Sequence, residues 1–118
     1  MSDIVSGTEL LLAIEPGAAY VDPTARIFGR VSAGEGSSFW PYCVIRAEGA
    51  GVRIGRVCNI QDGAVIHCTF KKTKAIIGNN VSIGHNAIVH GCTLHDNVLV
   101  GMGSIVMDNA VVHSNTII

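Results

Sequence analysis

Aliphatic residues recur every six positions along most of this chain. In the C-terminal half they stand at Ile77, Ile83, Val89, Leu94, Val100, Val106, Val112 and Ile118, and every step is six residues except the five-residue step from Val89 to Leu94. The same spacing occurs upstream at Val21, Ile27, Ala33, Phe39 and Ile45, and again at Ile54, Ile60 and Ile66. An amphipathic helix would repeat near 3.6 residues and a simple strand near 2. A six-residue repeat is typical of a parallel β-helix, in which three short strands make one triangular coil. We therefore predict an all-β parallel β-helix of about five coils.

The length and composition fit one such domain. The 118 residues suffice for a single domain, 1–118, which we divide into an N-terminal cap over 1–20 and coils over 21–118. Insertions in the repeat are expected near 46–53 and 68–76. Apolar residues make up 48% of the chain, enough for a core, and 14 glycines with only 3 prolines suit many tight corners.

Charge and cysteine usage exclude several classes of function. The formal net charge is −1 and no large basic patch is present, which argues against a nucleic-acid partner. No apolar run approaches the ~20 residues that a membrane helix needs. No Lys or Arg precedes Arg26, so a secretory signal is not expected. Cys43, Cys58, Cys68 and Cys92 show no CxxC spacing, and we interpret them as small core residues in a reducing cytoplasm.

The repeat also predicts which wall of the triangular coil each aliphatic residue occupies. We assign Ile83 to a second wall and Val89 to a third wall. Counting back in steps of six, with the insertions left out, places Ile60 on a second wall. The same count places Ile45 and Ile66 on third walls.

Polar residues fall at fixed places beside these aliphatic positions. Arg46, His67 and His90 each directly follow a third-wall residue, so they should form a ladder on three successive coils. Asp62 and His85 each come two places after a second-wall residue and should form another ladder. Coils stack about 4.7–4.9 Å apart. Two imidazoles in one ladder can therefore reach the same ion, since Zn–N bonds are about 2.0–2.1 Å long.

His85 lies on a different wall from His67 and His90, so it is expected to reach their ion from a neighbouring chain. The same docking would bring Arg46 to Asp62 of that neighbour. A heterologous contact that closes on itself makes a ring. Together with the triangular coil, this predicts a homotrimer with metal sites between its subunits.

Two further groups of polar residues have simpler interpretations. His95 and His113 follow first-wall aliphatic residues, but no third ligand accompanies them, so we interpret them as solvated surface residues. Lys71, Lys72 and Lys74 lie in the second insertion. They form either a solvated loop or a positive rim that attracts anions.

Four parts of the sequence carry a recognisable pattern: 59–62 (NIQD), His67, 84–92 (GHNAIVHGC) and 96–104 (DNVLVGMGS). Together they resemble the γ-class carbonic anhydrase family. The resemblance runs from about Ile14 to the last residue and is strongest to short bacterial γ-carbonic-anhydrase-like proteins, some of them associated with phenylacetate or carnitine metabolism. It implies a left-handed β-helix, a trimer, and a metal between subunits that is commonly Zn²⁺, with Fe²⁺ or Co²⁺ as alternatives.

Position by position, the resemblance implies three metal ligands: His67, His85 and His90. It makes Arg46 and Asp62 an intersubunit ion pair. It also places Gln61 and Asn59 beside the metal, where they would orient water or substrate.

The chain departs from the family pattern in three places. The family usually has Gly-Asp after the arginine, whereas this chain has Ala47-Glu48, so Glu48 is expected to steady Arg46 and is a candidate for moving the proton. The acidic loop of the most active members is replaced by 70–74 (FKKTK). The family's long C-terminal helix is not expected before Ile118.

Three functions follow as hypotheses. The first is a zinc-dependent lyase of the carbonic anhydrase type, in which metal hydroxide hydrates CO2 reversibly with slow turnover. The second is a hexapeptide-repeat hydrolase or acyltransferase that acts on an acyl ester or thioester. The third is a metal-bound scaffold with little activity.

Overall fold

The computed structural model describes residues 20–118, which form 13 short strands and no helix. The strands are β1 (Tyr20–Val21), β2 (Arg26–Ala33), β3 (Ser38–Phe39), β4 (Val44–Ile54), β5 (Asn59–Ile60), β6 (Val65–His67), β7 (Ala75–Ile77), β8 (Ser82–Ile83), β9 (Ile88–His90), β10 (Thr93–Leu94), β11 (Leu99–Val100), β12 (Ile105–Val106) and β13 (Val111–Val112). With no helix in this part of the chain, nothing in it has the length and apolar character of a membrane-spanning helix.

The strands stack as a three-walled solenoid in which every pairing is parallel. The second wall has the order β1-β3-β5-β8-β11. The third wall contains the N-terminal parts of β2 and β4, followed by β6, β9 and β12. The first wall contains the C-terminal parts of β2 and β4, followed by β7, β10 and β13. The predicted all-β parallel β-helix is confirmed, while its left-handed sense stays a prediction.

The strand register follows the six-residue repeat. Ile45 pairs with Ile66 and Ile66 with Val89 along the third wall, and Ile60 pairs with Ile83 along the second. All five side chains are completely buried. Burying an aliphatic side chain contributes about 1.5–3 kcal/mol, so a column of such residues supplies the main stabilisation of the coil. The predicted wall assignments are thus confirmed by the register.

The two insertions take different forms. The residues added around Glu48 lengthen β4, which crosses from the third wall to the first without a break. The second insertion, 68–74, is a loop between β6 and β7, closed by hydrogen bonds from the N–H groups of Lys72 and Thr73 to the carbonyl of Thr69. Apart from Tyr20, the predicted N-terminal cap over 1–20 lies outside the described residues.

The four cysteines are buried and none forms a disulfide. Their interpretation as small core residues is confirmed. Burial raises the pKa of the Cys43 and Cys92 thiols to about 11, so both are protonated near neutral pH.

One corner of the coil is a ladder of residues in the left-handed backbone region. Asn80, Asn97 and Asn115 have φ of 56°, 57° and 64°. The Asn80 side-chain amide donates to Asn97 Oδ1 at 2.8 Å, and the Asn97 amide donates to Asn115 Oδ1 at 3.2 Å. The next position in this ladder is Val57, with φ of 55°. Its N–H donates to the Glu35 carbonyl of the preceding coil, as the Asn80 N–H donates to the Arg56 carbonyl. A β-branched residue is a genuine outlier there, because its side chain crowds the backbone.

Replacing Val57 with asparagine is therefore expected to raise the free energy of unfolding by about 1–2 kcal/mol, because the strain is relieved and the amide ladder gains a rung. Thermal unfolding measures the change, which corresponds to an increase in Tm of a few degrees. Val57→Ala is the control, because it shortens the side chain without supplying an amide, and it should gain less. A lower Tm for Val57→Asn than for Val57→Ala would contradict this account.

Candidate metal centre

Two histidines lie side by side on the third wall. His67 ends β6 and His90 ends β9, and the two residues are direct partners in the parallel ladder. Each follows a buried aliphatic residue, so alternation along the strand turns its ring outward. The ring centroids are 5.0 Å apart and the ring planes are perpendicular. Both rings are partly buried, with 25% and 31% of their side-chain surfaces exposed.

A buried carboxylate joins His67 to Arg46. Glu48 Oε1 accepts a hydrogen bond from Arg46 Nη2 at 2.6 Å and lies 3.2 Å from His67 Nε2. Burial alone would raise the pKa of the Glu48 carboxyl. Hydrogen bonds from its own backbone N–H, Arg46 and His67 outweigh that effect and hold the pKa below its ordinary value. Glu48 is therefore an ionised carboxylate that fixes both neighbours.

A second carboxylate meets His90, and sequence reasoning missed it. Asp108 follows β12, and its Oδ1 lies 2.5 Å from His90 Nδ1. Thr69 donates its hydroxyl to the other oxygen, Oδ2, at 2.5 Å. The Thr69 hydroxyl and then the His90 ring hold the pKa of the Asp108 carboxyl below its ordinary value. The repeat could have predicted this contact. Asp108 stands two places after the third-wall residue Val106, which pairs with Val89, the residue before His90.

The second wall carries a separate polar cleft of about 400 Å³. It is lined by Ser38, Trp40, Asn59, Gln61, Asp62 and His85. His85 and Asp62 occupy successive corners, and His85 Nδ1 lies 3.4 Å from Asp62 Oδ1. The Gln61 side-chain amide donates to Asn59 Oδ1, and the Asn59 amide donates to the hydroxyl of Ser82, both at 2.8 Å. Asn59, Gln61, Asp62 and His85 thus share one face of the molecule.

One chain does not bring the two faces together. In residues 20–118, no group of three or more His, Cys, Asp or Glu side chains is placed to hold a metal ion. His67 and His90 lie on the third wall, whereas His85 lines the cleft of the second wall. A site with three imidazoles would need a second copy of the chain.

The individual histidines nevertheless fit a metal. His67, His85 and His90 each face a carboxylate with one ring nitrogen, and the other nitrogen has no protein partner in the described part of the chain. Histidine ligands in proteins commonly have this arrangement, because the carboxylate sets the tautomer and the orientation of the ring. The donor set, three imidazoles supported by carboxylates, suits Zn²⁺ and other divalent transition metals.

His95 and His113 lack this environment. Their rings stack 5.7 Å apart at 11°, and within residues 20–118 no carboxylate lies at ion-pair distance from either. Lys71, Lys72 and Lys74 are exposed, and the Lys71 ammonium lies 5.3 Å from the centroid of the Phe70 ring. The carboxylate support therefore distinguishes the three predicted ligands from the other two histidines.

Curated relatives include carbonic anhydrases of the γ type. The chain is 40% identical over 73 residues to the mitochondrial gamma carbonic anhydrase 3 of Arabidopsis thaliana, a match that covers 58% of this chain and 28% of the relative. It is 33% identical over 91 residues to a carbonic anhydrase of Methanosarcina thermophila, which covers 61% of this chain and 36% of the relative. The matches thus span about a third of the length of these relatives. No protein-family model matches the chain.

Solved structures share the fold over a longer stretch. A hexapeptide transferase family protein from Anaplasma phagocytophilum superposes with a TM-score of 0.82 at 39% identity, covering 89% of this chain and 60% of that one. A Bacillus cereus protein, provisionally described as an acetyltransferase, superposes with a TM-score of 0.74 at 31% identity. This match covers 89% of this chain and 67% of that one. Fold and repeat thus define a hexapeptide-repeat β-helix protein. Within that class, the chain is similar to γ carbonic anhydrases over 58% of its length.

Proposed function

We propose that this chain is the subunit of a metal-dependent lyase that hydrates CO2 reversibly at a site shared between copies. His67 and His90 of one copy and His85 of a neighbour would hold Zn²⁺, with Fe²⁺ or Co²⁺ as alternatives. The observation that carries the proposal is that each of these imidazoles, unlike His95 and His113, faces a carboxylate. The similarity to γ carbonic anhydrases supports the same reaction.

A homotrimer is proposed as the assembly, because the two walls that carry the half-sites also expose large apolar side chains. Ile88 and Ile105 neighbour each other on the third wall and are 36% and 64% exposed, and Leu99 on the second wall is 40% exposed. Exposed apolar patches commonly mark association surfaces. A third wall packed on a neighbour's second wall would cover them and would bring Arg46 towards the neighbour's Asp62.

The protein groups around the site have separable tasks in this reaction. A divalent cation held by three imidazoles lowers the pKa of water to about 7, which makes a nucleophilic oxygen available at neutral pH; carbonic anhydrase is the standard example of this effect. Gln61 donates to Asn59, which leaves its Oε1 atom as an acceptor that can orient water or substrate. Glu48 holds His67 and Arg46 in place.

Proton release to bulk water is expected to be slow. Glu48 is mostly buried and already engaged by two groups, which limits it as a carrier of protons. The loop over 68–74 presents lysines to solvent and contains no carboxylate. Turnover should therefore rise with buffer concentration, since an external base can replace the missing carrier.

The proposal is tested by metal analysis and stopped-flow CO2 hydration on protein purified anaerobically and loaded with Zn²⁺, Fe²⁺ or Co²⁺. The wild type should bind about one ion per chain, because a closed ring has one shared site per subunit. His90→Ala should lose metal affinity by more than 100-fold, given that loss of a supporting group alone costs about 10- to 100-fold. His95→Ala should retain both properties. Equal hydration rates for the wild type and His90→Ala would exclude the lyase.

The polar cleft favours one alternative, transfer or hydrolysis of an acyl group. Trp40 forms part of its lining, which offers an acyl group an apolar contact that CO2 does not need. The similarity to a hexapeptide transferase family protein points the same way. An assay of acyl-coenzyme A consumption, with and without an acceptor amine, distinguishes the alternatives. Turnover of the thioester by metal-free protein would favour the transferase.

A further inference from the structure

The corner that follows β12 places the Asp108 carboxylate against the ring of His90. We propose that Asp108 is a positioning residue that fixes the ring orientation and tautomer of His90, and that Thr69 couples the loop over 68–74 to this half-site. The inference rests on the proposed function, because it concerns how one proposed ligand is presented to the metal.

The contact determines which nitrogen of His90 is available. Asp108 Oδ1 lies 2.5 Å from His90 Nδ1, so the proton of a neutral ring resides on Nδ1 and points at the carboxylate. Nε2 is then the nitrogen with a lone pair to offer. A ring without such a partner can turn over about its side-chain torsion and exchange the two nitrogens.

Asp108 is itself held from a distant part of the chain. The Thr69 hydroxyl donates to Asp108 Oδ2 at 2.5 Å. The Thr69 N–H donates to Thr73 Oγ1 at 2.8 Å, and Thr73 is buried at 8% exposure. The loop over 68–74 is thus a closed turn that holds the Thr69 hydroxyl on the carboxylate. Movement of this loop would be transmitted to the ring of His90 through two hydrogen bonds.

The backbone beside His90 leaves room for this carboxylate. Gly91 has a left-handed φ of 57°, and a Cβ atom there would collide with Asp108 Oδ1 and Thr73 Oγ1. Any side chain at position 91 would therefore displace the carboxylate from the ring. The contact between Asp108 and His90 depends on this glycine.

Asp96 provides a matched comparison in the same fold. It lies at another coil corner, and its Oδ1 accepts a hydrogen bond from the Asn79 N–H at 2.8 Å. Its oxygen also fills the space beside a glycine, Gly78. Asp96 is thus a second corner aspartate beside a glycine, but it has no imidazole partner in the described residues. Asp96→Asn therefore reports the cost of changing a corner carboxylate alone.

The first experiment compares Asp108→Asn with Asp96→Asn in the full chain. Zn²⁺ affinity is measured by chelator competition, and the His90 tautomer in metal-free protein is measured by ¹⁵N NMR at a fixed pH. Asp108→Asn should weaken Zn²⁺ binding by about 10- to 100-fold and should populate both His90 tautomers, because an amide can donate to the ring as well as accept. Asp96→Asn should match the wild type in both. Circular dichroism verifies that each variant is folded.

The NMR measurement separates this inference from the proposed function. A wild type that binds no Zn²⁺ overturns the proposed function, yet the tautomer of His90 still tests the role of Asp108. An Asp108→Asn variant that keeps the Nδ1–H tautomer and wild-type Zn²⁺ affinity overturns the inference alone.

A second pair of variants tests the coupling to the loop. Thr69→Val removes the hydroxyl at nearly constant volume and should lower Zn²⁺ affinity several-fold, whereas Thr69→Ser restores the hydroxyl and should recover it. Equal affinities for Thr69→Val and Thr69→Ser would overturn the coupling.

Discussion

Replacing Phe39 with alanine is expected to lower the free energy of unfolding by about 3–5 kcal/mol. Phe39 is completely buried and is the largest fully buried side chain in residues 20–118. It lies on the second wall, where it pairs with Val21 on one side and Ile60 on the other. Each coil packs only on its neighbours, so a cavity there weakens the stack on both sides. A small domain has about 5–15 kcal/mol of stability in total, so the loss should be a large fraction of it.

Phe70→Ala is the matched control, because it deletes the same side chain from an exposed position in the loop over 68–74. A surface change of this kind should cost about 0.5 kcal/mol or less, with a small addition for the lost contact with Lys71. Chemical denaturation of both variants measures the difference at fixed protein concentration, since assembly also contributes to stability. Similar losses for the two variants would contradict the position of Phe39 in the core.

The fold was predictable from the sequence because one physical constraint repeats along the chain. A narrow triangular interior accepts an inward residue from each wall at every coil. Buried residues meet that constraint at six-residue steps in two runs: Ile54, Ile60 and Ile66, then Ile77, Ile83 and Val89. Even the five-residue step from Val89 to Leu94 is accommodated, as a shorter corner between β9 and β10. The spacing of apolar residues does not predict the left-handed φ of Val57. That backbone angle depends on the position of Val57 at a corner of the coil and not on burial.

The candidate site was predictable only in part, because spacing places residues on walls but does not describe contacts between side chains. The repeat indicated that His67 and His90 are neighbours, and the register pairs them. The contact between Asp108 and Thr69 joins a corner to a loop 39 residues away. The conformation of that loop does not follow from the repeat. The roles proposed for the site residues remain predictions that the variants above test.

The second large effect concerns a mixture of two variants that are inactive separately. His85→Ala should lack the second-wall ligand in every subunit, and His90→Ala should lack a third-wall ligand in every subunit. In a closed ring that contains both chains, a site is complete wherever the third wall of a His85→Ala chain meets the second wall of a His90→Ala chain. Random mixing in equal amounts makes about one quarter of the sites complete, whatever the number of subunits in the ring.

The control is a mixture of His67→Ala with His90→Ala. Both changes affect the same wall, so every site in a mixed ring lacks one ligand and no activity should return. Both pairs are co-expressed with different tags, and native mass spectrometry verifies that mixed oligomers form in equal proportion.

High-affinity metal content of these mixed oligomers is the most direct test of a site completed by two copies of the chain. For His85→Ala with His90→Ala, the account predicts about one quarter of the wild-type content in the whole random mixture, which is about one third in trimers that contain both chains. For His67→Ala with His90→Ala it predicts almost none. Mixed oligomers of the first pair that bind no more metal than either variant separately would contradict it.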